Sequence, residues 1–366
     1  MNIYIYTVQD TKPATCVGIL DTYKSVNFTK SFQDCGKFTI KGNYTPDSRN
    51  MLQVGNLVYI NPRVCGIIET VDFSTDDKSI TTFTVSGKEL KGILDYRIVW
   101  NTYNHNINLG SWITGVVTEN TQGNRKLFSE IPASNIDAPN LDKQVSYVSL
   151  LKAVSDAAQS KRTNKGMMLG FDVECDIQKG FTFKVIEGTD RTFESKSPYV
   201  VSRDMDNVSS LGYAESSKSI ANIVKVGGEG EGSERKFAIA GNDSISGLNR
   251  KEIFKDSRNT KSSYTDSAGN QQTLTPEQYK ALLQDEANSL VQEQKEISVD
   301  AESVVTSEQA LDLLGSKVSL IDRAFGVRTD DYISEVNFID EADGTLTTIT
   351  VGKGIAAQQL TLPMEV

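Results

Sequence analysis

Residues 220–235 read Ile-Ala-Asn-Ile-Val-Lys-Val-Gly-Gly-Glu-Gly-Glu-Gly-Ser-Glu-Arg. The first seven are apolar and β-branched enough to read as a strand, which runs without a break into glycines interleaved with glutamates. Gly227 and Gly232 have the first spacing of a phosphate-binding loop, but Ser233 and Glu234 stand where that loop needs Lys and Ser or Thr. The dinucleotide pattern Gly-x-Gly-x-x-Gly also fails, because Arg235 takes the place of the third glycine. Glu229, Glu231 and Glu234 would in any case repel a phosphate. The run reads instead as a tightly turning β connection, where glycine permits positive φ and close backbone approach. Gly227–Arg235 is expected to be a structural hinge or interdomain loop, with Arg235 paired to a carboxylate or a backbone carbonyl.

Upstream, residues 1–100 are short strands separated by turn chemistry, at 2–8, 16–20, 37–41 and 57–60. Residues 64–73 and 79–85 flank Ser-Thr-Asp-Asp-Lys at 74–78 and read as a hairpin, with Thr81, Phe83 and Val85 on one face. The first helix-like stretch is the short 88–94, and 101–144 is irregular and rich in Asn. Val145, Val148, Leu151, Val154 and Ala158 then recur every three or four residues, the apolar face of a helix of about four turns. Strands at 180–186 and 199–202 follow. Downstream of the glycine run, 256–273 is polar and reads as an exposed loop. Thr275, Pro276 and Gln278 form a capping box with proline at the first helical position. They start a helix over 276–295 whose apolar stripe is Tyr279, Leu282, Leu283, Leu290 and Val291. Extended segments at 296–305, 317–321, 332–340 and 346–352 follow, the last two joined around Asp343-Gly344, a hairpin signal.

At ~150 residues per domain, 366 residues suggest two to three domains. The pattern is that of a β-rich α+β multidomain chain, whose first hundred residues read as a β domain, a small barrel or sandwich, and whose last fifty read as a second β unit. The first β-barrel-like domain spans 1–140 and resumes at 205–250, and 141–204 is a small α+β insertion. Residues 251–309 are an accessory segment carrying the helix 276–295, and 310–366 form the second β-barrel-like domain.

The chain carries 38 basic and 48 acidic residues, a net charge of −10. No basic stripe is visible, and residues 277–308 hold eight carboxylates against Lys280 and Lys295. Tight nucleic-acid binding is disfavoured, whereas passage of DNA past an acidic wall is not. No run of 18 apolar residues occurs, and the first ten residues lack the basic and apolar regions of a secretory signal. Cys16, Cys35, Cys65 and Cys175 lie far apart with no CxxC pair, and read as free, buried thiols of a chain that folds in a reducing compartment. The single histidine, His105, lies between Asn104 and Asn106 and reads as a loop or turn residue. One histidine excludes His-Glu-x-x-His, the cysteines lack zinc-site spacing, and Gly-x-Ser-x-Gly is absent. Asp340 and Asp343 fail as a calcium loop, because Ile339 would occupy its first position. With 48 acidic residues, carboxylate pairs for glycoside hydrolysis carry no sequence signal. The sequence assigns no catalytic, cofactor-binding or metal site.

In order along the chain, several elements resemble a family of siphophage tail proteins, and the glycine–glutamate run ending in Ser-Glu-Arg is the most specific of them. Such proteins carry a downstream Gly-Leu-x-Arg-Lys/Arg-Glu element and then Asp-x-Arg. Here these are Gly247-Leu248-Asn249-Arg250-Lys251-Glu252 and Asp256-Ser257-Arg258. Nearer the start are Gly36-Lys37-Phe38, Gly55-Asn56-Leu57-Val58, and Val85-Ser86-Gly87-Lys88-Glu89-Leu90 before Arg97. Towards the end, an expected Leu-Gly-Asp-x-Val element is Leu314-Gly315-Ser316-Lys317-Val318, with Ser316 in place of the Asp.

The family is similar to the trimeric baseplate hub of contractile-tailed phages and to the N-terminal part of siphophage tail-associated proteins. The resemblance implies two small antiparallel β-barrel-like domains stacked beside the tail tube and two α/β-type accessory domains packed outside. It implies a structural virion protein, a homotrimeric hub of the tail tip or baseplate that joins the sixfold tube to the threefold tip and forms part of the DNA ejection channel. Such a protein is assembled in the host bacterial cytoplasm. Its implied partners are distal tail and tail-tube proteins on one side, tail fibre, spike or receptor-binding proteins on the other, and the tape measure protein in the lumen. DNA would meet it only in passing, with no stable membrane association and no cofactor. Many relatives continue into a peptidoglycan hydrolase or a fibre-like extension, so a chain ending at Val366 reads as the hub alone. Two rival readings are a tip-borne cell-wall hydrolase or endopeptidase, against which the residue inventory argues, and a host-surface glycan-binding module. The second is suggested by β content, Trp100, Trp112 and 13 tyrosines.

Overall fold

The computed structural model describes residues 1–352 except 206, 209–210, 266–269, 294–295, 304–305 and 324–325. The expected end of the second β unit, 353–366, and the last two residues of the segment 296–305 lie outside the described residues.

Seven strands occupy the first ninety residues: β1 (Tyr4–Gln9), β2 (Lys12–Ile19), β3 (Tyr23–Ser31), β4 (Lys37–Asn43), β5 (Leu57–Asn61), β6 (Val64–Thr75) and β7 (Thr81–Glu89). A short helix, α1 (Pro46–Met51), is started by reciprocal capping between Thr45 and Ser48. The hairpin expected around 74–78 is β6–β7, with Thr75 opposite Thr81 and with Phe83 and Val85 buried. In the middle of the chain lie β8 (Tyr103–Asn108), α2 (Leu109–Asn120), β9 (Asn140–Val145), α3 (Leu150–Ser160), β10 (Leu169–Asp176), β11 (Gly180–Glu187) and the two-residue β12 (Asp190–Arg191) and β13 (Val200–Val201). Then come β14 (Leu211–Ser216), β15 (Ile223–Gly227), β16 (Phe237–Gly241), β17 (Glu252–Asp256), β18 (Ser263–Thr265), β19 (Gln271–Thr273) and α4 (Pro276–Ser289). The last elements are β20 (Glu296–Ser303), α5 (Ser307–Leu313), β21 (Lys317–Asp322), β22 (Val327–Glu341) and β23 (Gly344–Val351).

The N- and C-terminal strands form one fourteen-stranded sheet, in the order β14-β20-β23-β22-β3-β4-β7-β6-β5-β1-β2, with β12, β13 and β21 off that path. Two separate barrel-like units were expected. Instead β22 joins them edge to edge, pairing with β3 so that Phe338 faces Phe28. Its fifteen residues are long enough to change partner midway, from β21 over 327–332 to β3 over 335–341. Among the described residues the path ends at β2 and β14 and does not close on itself. One core runs under both halves, holding Phe28, Phe38, Ile40, Phe83 and Val85 together with Val336, Phe338 and Ile349. The Phe28 and Phe38 rings stack at 5.6 Å. Phe38 lies so close over Gly87 that a Cβ there would sit 2.9 Å from its ring, which explains a glycine in the middle of a buried strand.

A second core lies beside the sheet around Trp112, Ile113, Val154, Phe171 and Phe183. It is built from α2, α3, β10 and β11 and from a tight 3-10 helix at Leu90–Tyr96, the short helix-like stretch of the sequence. The segment 101–144, expected to be irregular, contains β8, α2 and β9. Helix α2 escaped notice because Leu-Gly-Ser-Trp-Ile-Thr-Gly-Val-Val-Thr-Glu-Asn is rich in Gly and β-branched residues, both weak helix formers. It is begun by Asn108, whose side chain accepts from the amides of Gly110 and Ser111. The helix expected from Val145 starts five residues later, because Ser149 caps α3 through the Lys152 amide and Val145 stays in β9.

A third, smaller core joins β15 and β16 to α4, with Val224, Val226, Ala238 and Ala240 against Tyr279, Leu283 and Ala287. The strand expected to resume the first β unit thus pairs within a sheet of its own, ordered β16-β15-β17. Helix α4 begins with the expected capping box of Thr275 and Gln278 but stops at Ser289 rather than 295. Beyond it the backbones of Gln292 and Ala221 bond each other at 2.8 and 2.9 Å, which demands extended chain. The polar stretch 256–273 holds the β18–β19 hairpin, with 266–269 outside the described residues. Among the described residues no helix is long and apolar enough to cross a membrane.

Candidate functional site

The glycine run is a latched turn. It connects β15 to β16, two paired strands of one sheet, so it is not an interdomain loop. Arg235 donates from Nη2 to the carbonyl of Gly227 at 2.8 Å and to Asp256 Oδ1 at 2.6 Å, and from Nε to the carbonyl of Gly228 at 3.1 Å. A carboxylate or a backbone carbonyl was expected as the partner of Arg235, and the guanidinium engages both. The guanidinium occupies the space that a Cβ on Gly227 would need, and its carbon lies 5.3 Å from the Phe254 ring centre. Gly228 is pressed against Tyr279, whose hydroxyl donates to Thr260 O and accepts from Glu229 N, both at 2.8 Å. Gly230 has φ +93°, a conformation open to glycine. The amides of Gly228 and Glu229 are therefore spent inside the turn rather than turned towards a phosphate.

The sequence elements read separately meet here. Asp256 also accepts from Arg258 Nη2 at 2.7 Å, and the hydrogen bonds from Arg258 and Arg235 hold its carboxyl below the usual range. Arg250 pairs with Glu252 at 2.5 Å and with Asp243 at 3.0 Å. The glycine run, the Gly247–Asn249 turn with its following Arg-Lys-Glu, and the Asp-x-Arg thus close one small unit around β15.

A buried charged seam, missed in the sequence, ties this chain's largest sheet to the second core. Lys30 on β3 reaches Asp172 on β10 at 2.6 Å, and Lys91 reaches Glu89 at 2.9 Å, all four side chains being at most 10% exposed. Lys91 also donates to the carbonyls of Ser31 and Phe171. Burial drives the Lys91 ammonium down to about 7, the Asp172 carboxylate opposing it. Burial by itself would raise Asp172, but the ammonium groups of Lys30 and Lys91 keep it low. The available signal was a lone charge in an apolar run, Asp172 in Met-Met-Leu-Gly-Phe-Asp-Val at 167–173. A cleft of about 640 Å³ opens beside this seam, between the sheet, α3 and α4, lined by both signs of charge, including Lys143, Lys152, Asp156 and Glu286. Burial lowers the Lys143 ammonium there.

His105 lies in β8 rather than in a loop, its ring 4.4 Å from that of Tyr103. All four cysteines are free. Cys65 and Cys175 are buried, Cys35 is half-buried, and Cys16 is exposed because β2 is an edge strand. Burial pushes the Cys35 thiol up to about 12 and Cys65 upward as well, so neither is a ready nucleophile. Among the described residues no three His, Cys, Asp or Glu side chains are grouped to hold a metal.

The latched turn and its two following elements fall within a match to the siphovirus ReqiPepy6 Gp37-like protein family that spans residues 3–353. The chain belongs to that family. Its fold is that of phage tail proteins. It is similar to the 43 kDa tail protein of prophage MuSo2 from Shewanella oneidensis, with a TM-score of 0.56 at 14% identity over 96% of this chain and 98% of that one. A tail protein from Neisseria meningitidis MC58 gives 0.55 at 10% identity, covering 96% of each chain. Prophage tail protein gp18 from Listeria monocytogenes EGD-e gives 0.52 at 14%, covering 97% of this chain and 95% of that one. No protein of curated function matches. The resemblance to siphophage tail proteins therefore holds at the level of family and of fold.

Proposed function

We propose that this protein is the trimeric hub of a siphophage tail tip, a structural part of the virion that joins the sixfold tail tube to a threefold tip. The observation that carries the reading is the single sheet shared by the N- and C-terminal strands, whose path ends at β2 and β14. Each chain then offers two β units, one on either side of the β3–β22 junction, and three chains offer six, matching a sixfold tube with threefold symmetry. A heterologous contact repeated around an axis closes such a ring and covers strand edges that would otherwise invite aggregation. Whether each unit completes a barrel is, on this reading, a property of the ring rather than of the single chain.

The net charge of −10 suits a channel wall, because like charge keeps DNA from adhering during ejection. The partners of such a hub are distal tail and tube proteins above, fibre, spike or receptor-binding proteins below, and the tape measure protein within. The role is mechanical rather than enzymatic: the buried seam holds the second core against the large sheet, and the latched turn fixes α4 to the small sheet of β15–β17. Symmetry-free imaging of the tail tip tests the proposal. Three copies around the axis, a mass of about 3 × 40.2 kDa, are expected, and one or six copies would refute it.

A further inference from the structure

We propose that the groove beside α2 binds a neutral sugar unit. The groove measures about 760 Å³, within the usual range for small-ligand sites, and its walls include Tyr103, Ser111, Thr114, Thr118, Gln122 and Ser134. Helix α2 turns its apolar face, Trp112, Ile113, Val116 and Val117, into the second core, which leaves its hydroxyl-bearing face towards the groove. Thr114 and Thr118 donate their hydroxyl protons to the carbonyls of Gly110 and Thr114, leaving each oxygen able to accept from a ligand.

Two polar groups of this groove lack partners. Tyr103 is 4% exposed, and its hydroxyl, held above Gly115, makes no hydrogen bond among the described residues. Ser134 Oγ is likewise buried without a partner. The Tyr103 hydroxyl, on the groove wall, therefore keeps its donor and acceptor capacity for a ligand, while Ser134 Oγ is packed against Gly110. Burial and the nearby Glu119 carboxylate raise Tyr103, so it remains a neutral donor.

The chemistry of the walls selects the ligand class. No Lys or Arg lines the groove and Glu119 does, which disfavours phosphates, carboxylates and nucleic acid. Apart from the Tyr103 and His105 rings, the only apolar residues of the walls are Ala133 and Gly115, so no large aliphatic side chain is there to anchor a hydrophobic ligand or peptide. What remains is a neutral, polyhydroxylated molecule that lays a ring face on the exposed His105 and exchanges hydrogen bonds with the hydroxyls. The inference stands on the groove and is independent of the trimer.

The test is ligand-observed NMR on the full chain with glucose, galactose, rhamnose and N-acetylglucosamine as probes. At least one should bind, and Tyr103→Phe should weaken it about 2- to 12-fold, the worth of one neutral hydrogen bond, with the melting temperature unchanged because that hydroxyl bonds nothing in the free protein. Thr118→Trp, at an exposed position that folding tolerates, should fill the groove and abolish binding. Retention of the chain on insoluble cell-wall polysaccharide, released by the free sugar, would identify the unit as part of a polymer. Binding of the free sugar without retention would identify a soluble one, and either supports the proposal. No signal from any probe, unchanged binding by Thr118→Trp, or tighter binding of glucose 6-phosphate than of glucose would overturn it.

Discussion

Replacing Gly228 by Ala should destabilise the chain through a single added methyl. The new Cβ would lie 2.3 Å from the Tyr279 hydroxyl oxygen and 2.8 Å from Leu283 Cδ1. Ordinary contact requires the tyrosine to retreat by more than an ångström. That movement breaks both its hydrogen bonds, to Thr260 O and from Glu229 N. Two neutral hydrogen bonds are worth about 1 kcal/mol each, and overpacking against Leu283 adds about 1–3 kcal/mol, giving about 3–5 kcal/mol in all. Backbone strain adds nothing, since Gly228 is not in the left-handed region. Gly232→Ala is the contrast, with φ +55° but open space around it, and should cost only about 1 kcal/mol. Urea unfolding followed by circular dichroism measures both, and hydrogen exchange over 223–292 locates the damage. A double-mutant cycle with Tyr279→Phe isolates the contact. Removing the hydroxyl makes room for the methyl, so the double variant should be more stable than the sum of the single losses predicts, by about 2 kcal/mol. Additivity within about 0.5 kcal/mol would refute the latch as described.

Two further outcomes follow from buried charge. Burial pushes the Asp331 carboxyl up to about 7, against the hydrogen bond from the Tyr332 amide and the nearby Arg162. The folded state therefore holds a proton that the unfolded state has released, and stability falls as pH rises from about 4 to 7. Asp331→Asn should flatten that decline and stabilise the chain at pH 8 by on the order of 2–4 kcal/mol, read from melts across pH; an unchanged profile would count against a buried protonated acid. Lys30→Met should cost about 3–5 kcal/mol, because it leaves Asp172 and Glu89 buried with Lys91 as their one remaining ammonium partner in the seam. A loss under about 1 kcal/mol in urea titrations would mean that the seam is hydrated.

Local chemistry was legible in the amino-acid order wherever it depended on neighbours in the chain. The Thr275–Gln278 capping box, the β6–β7 hairpin and the turn of Arg235 back onto the carbonyls of its own glycine run are all short-range consequences of residue type. The motif order was enough to place the chain among siphophage tail proteins. Helix α2 was hidden because its Gly and β-branched residues argue for no helix, and burial of Trp112 and Val116 against α3 overrode that preference. Strand partnership was hidden for a different reason. Alternation shows that a segment is a strand but not which edge it meets, so β15 paired within its own sheet and β22 bridged two units read as separate. The seam of Lys30, Glu89, Lys91 and Asp172 and the groove beside α2 each join residues that stand far apart in the chain. Only the packing of one core on another, which excludes water from all of them together, turns those residues into a site.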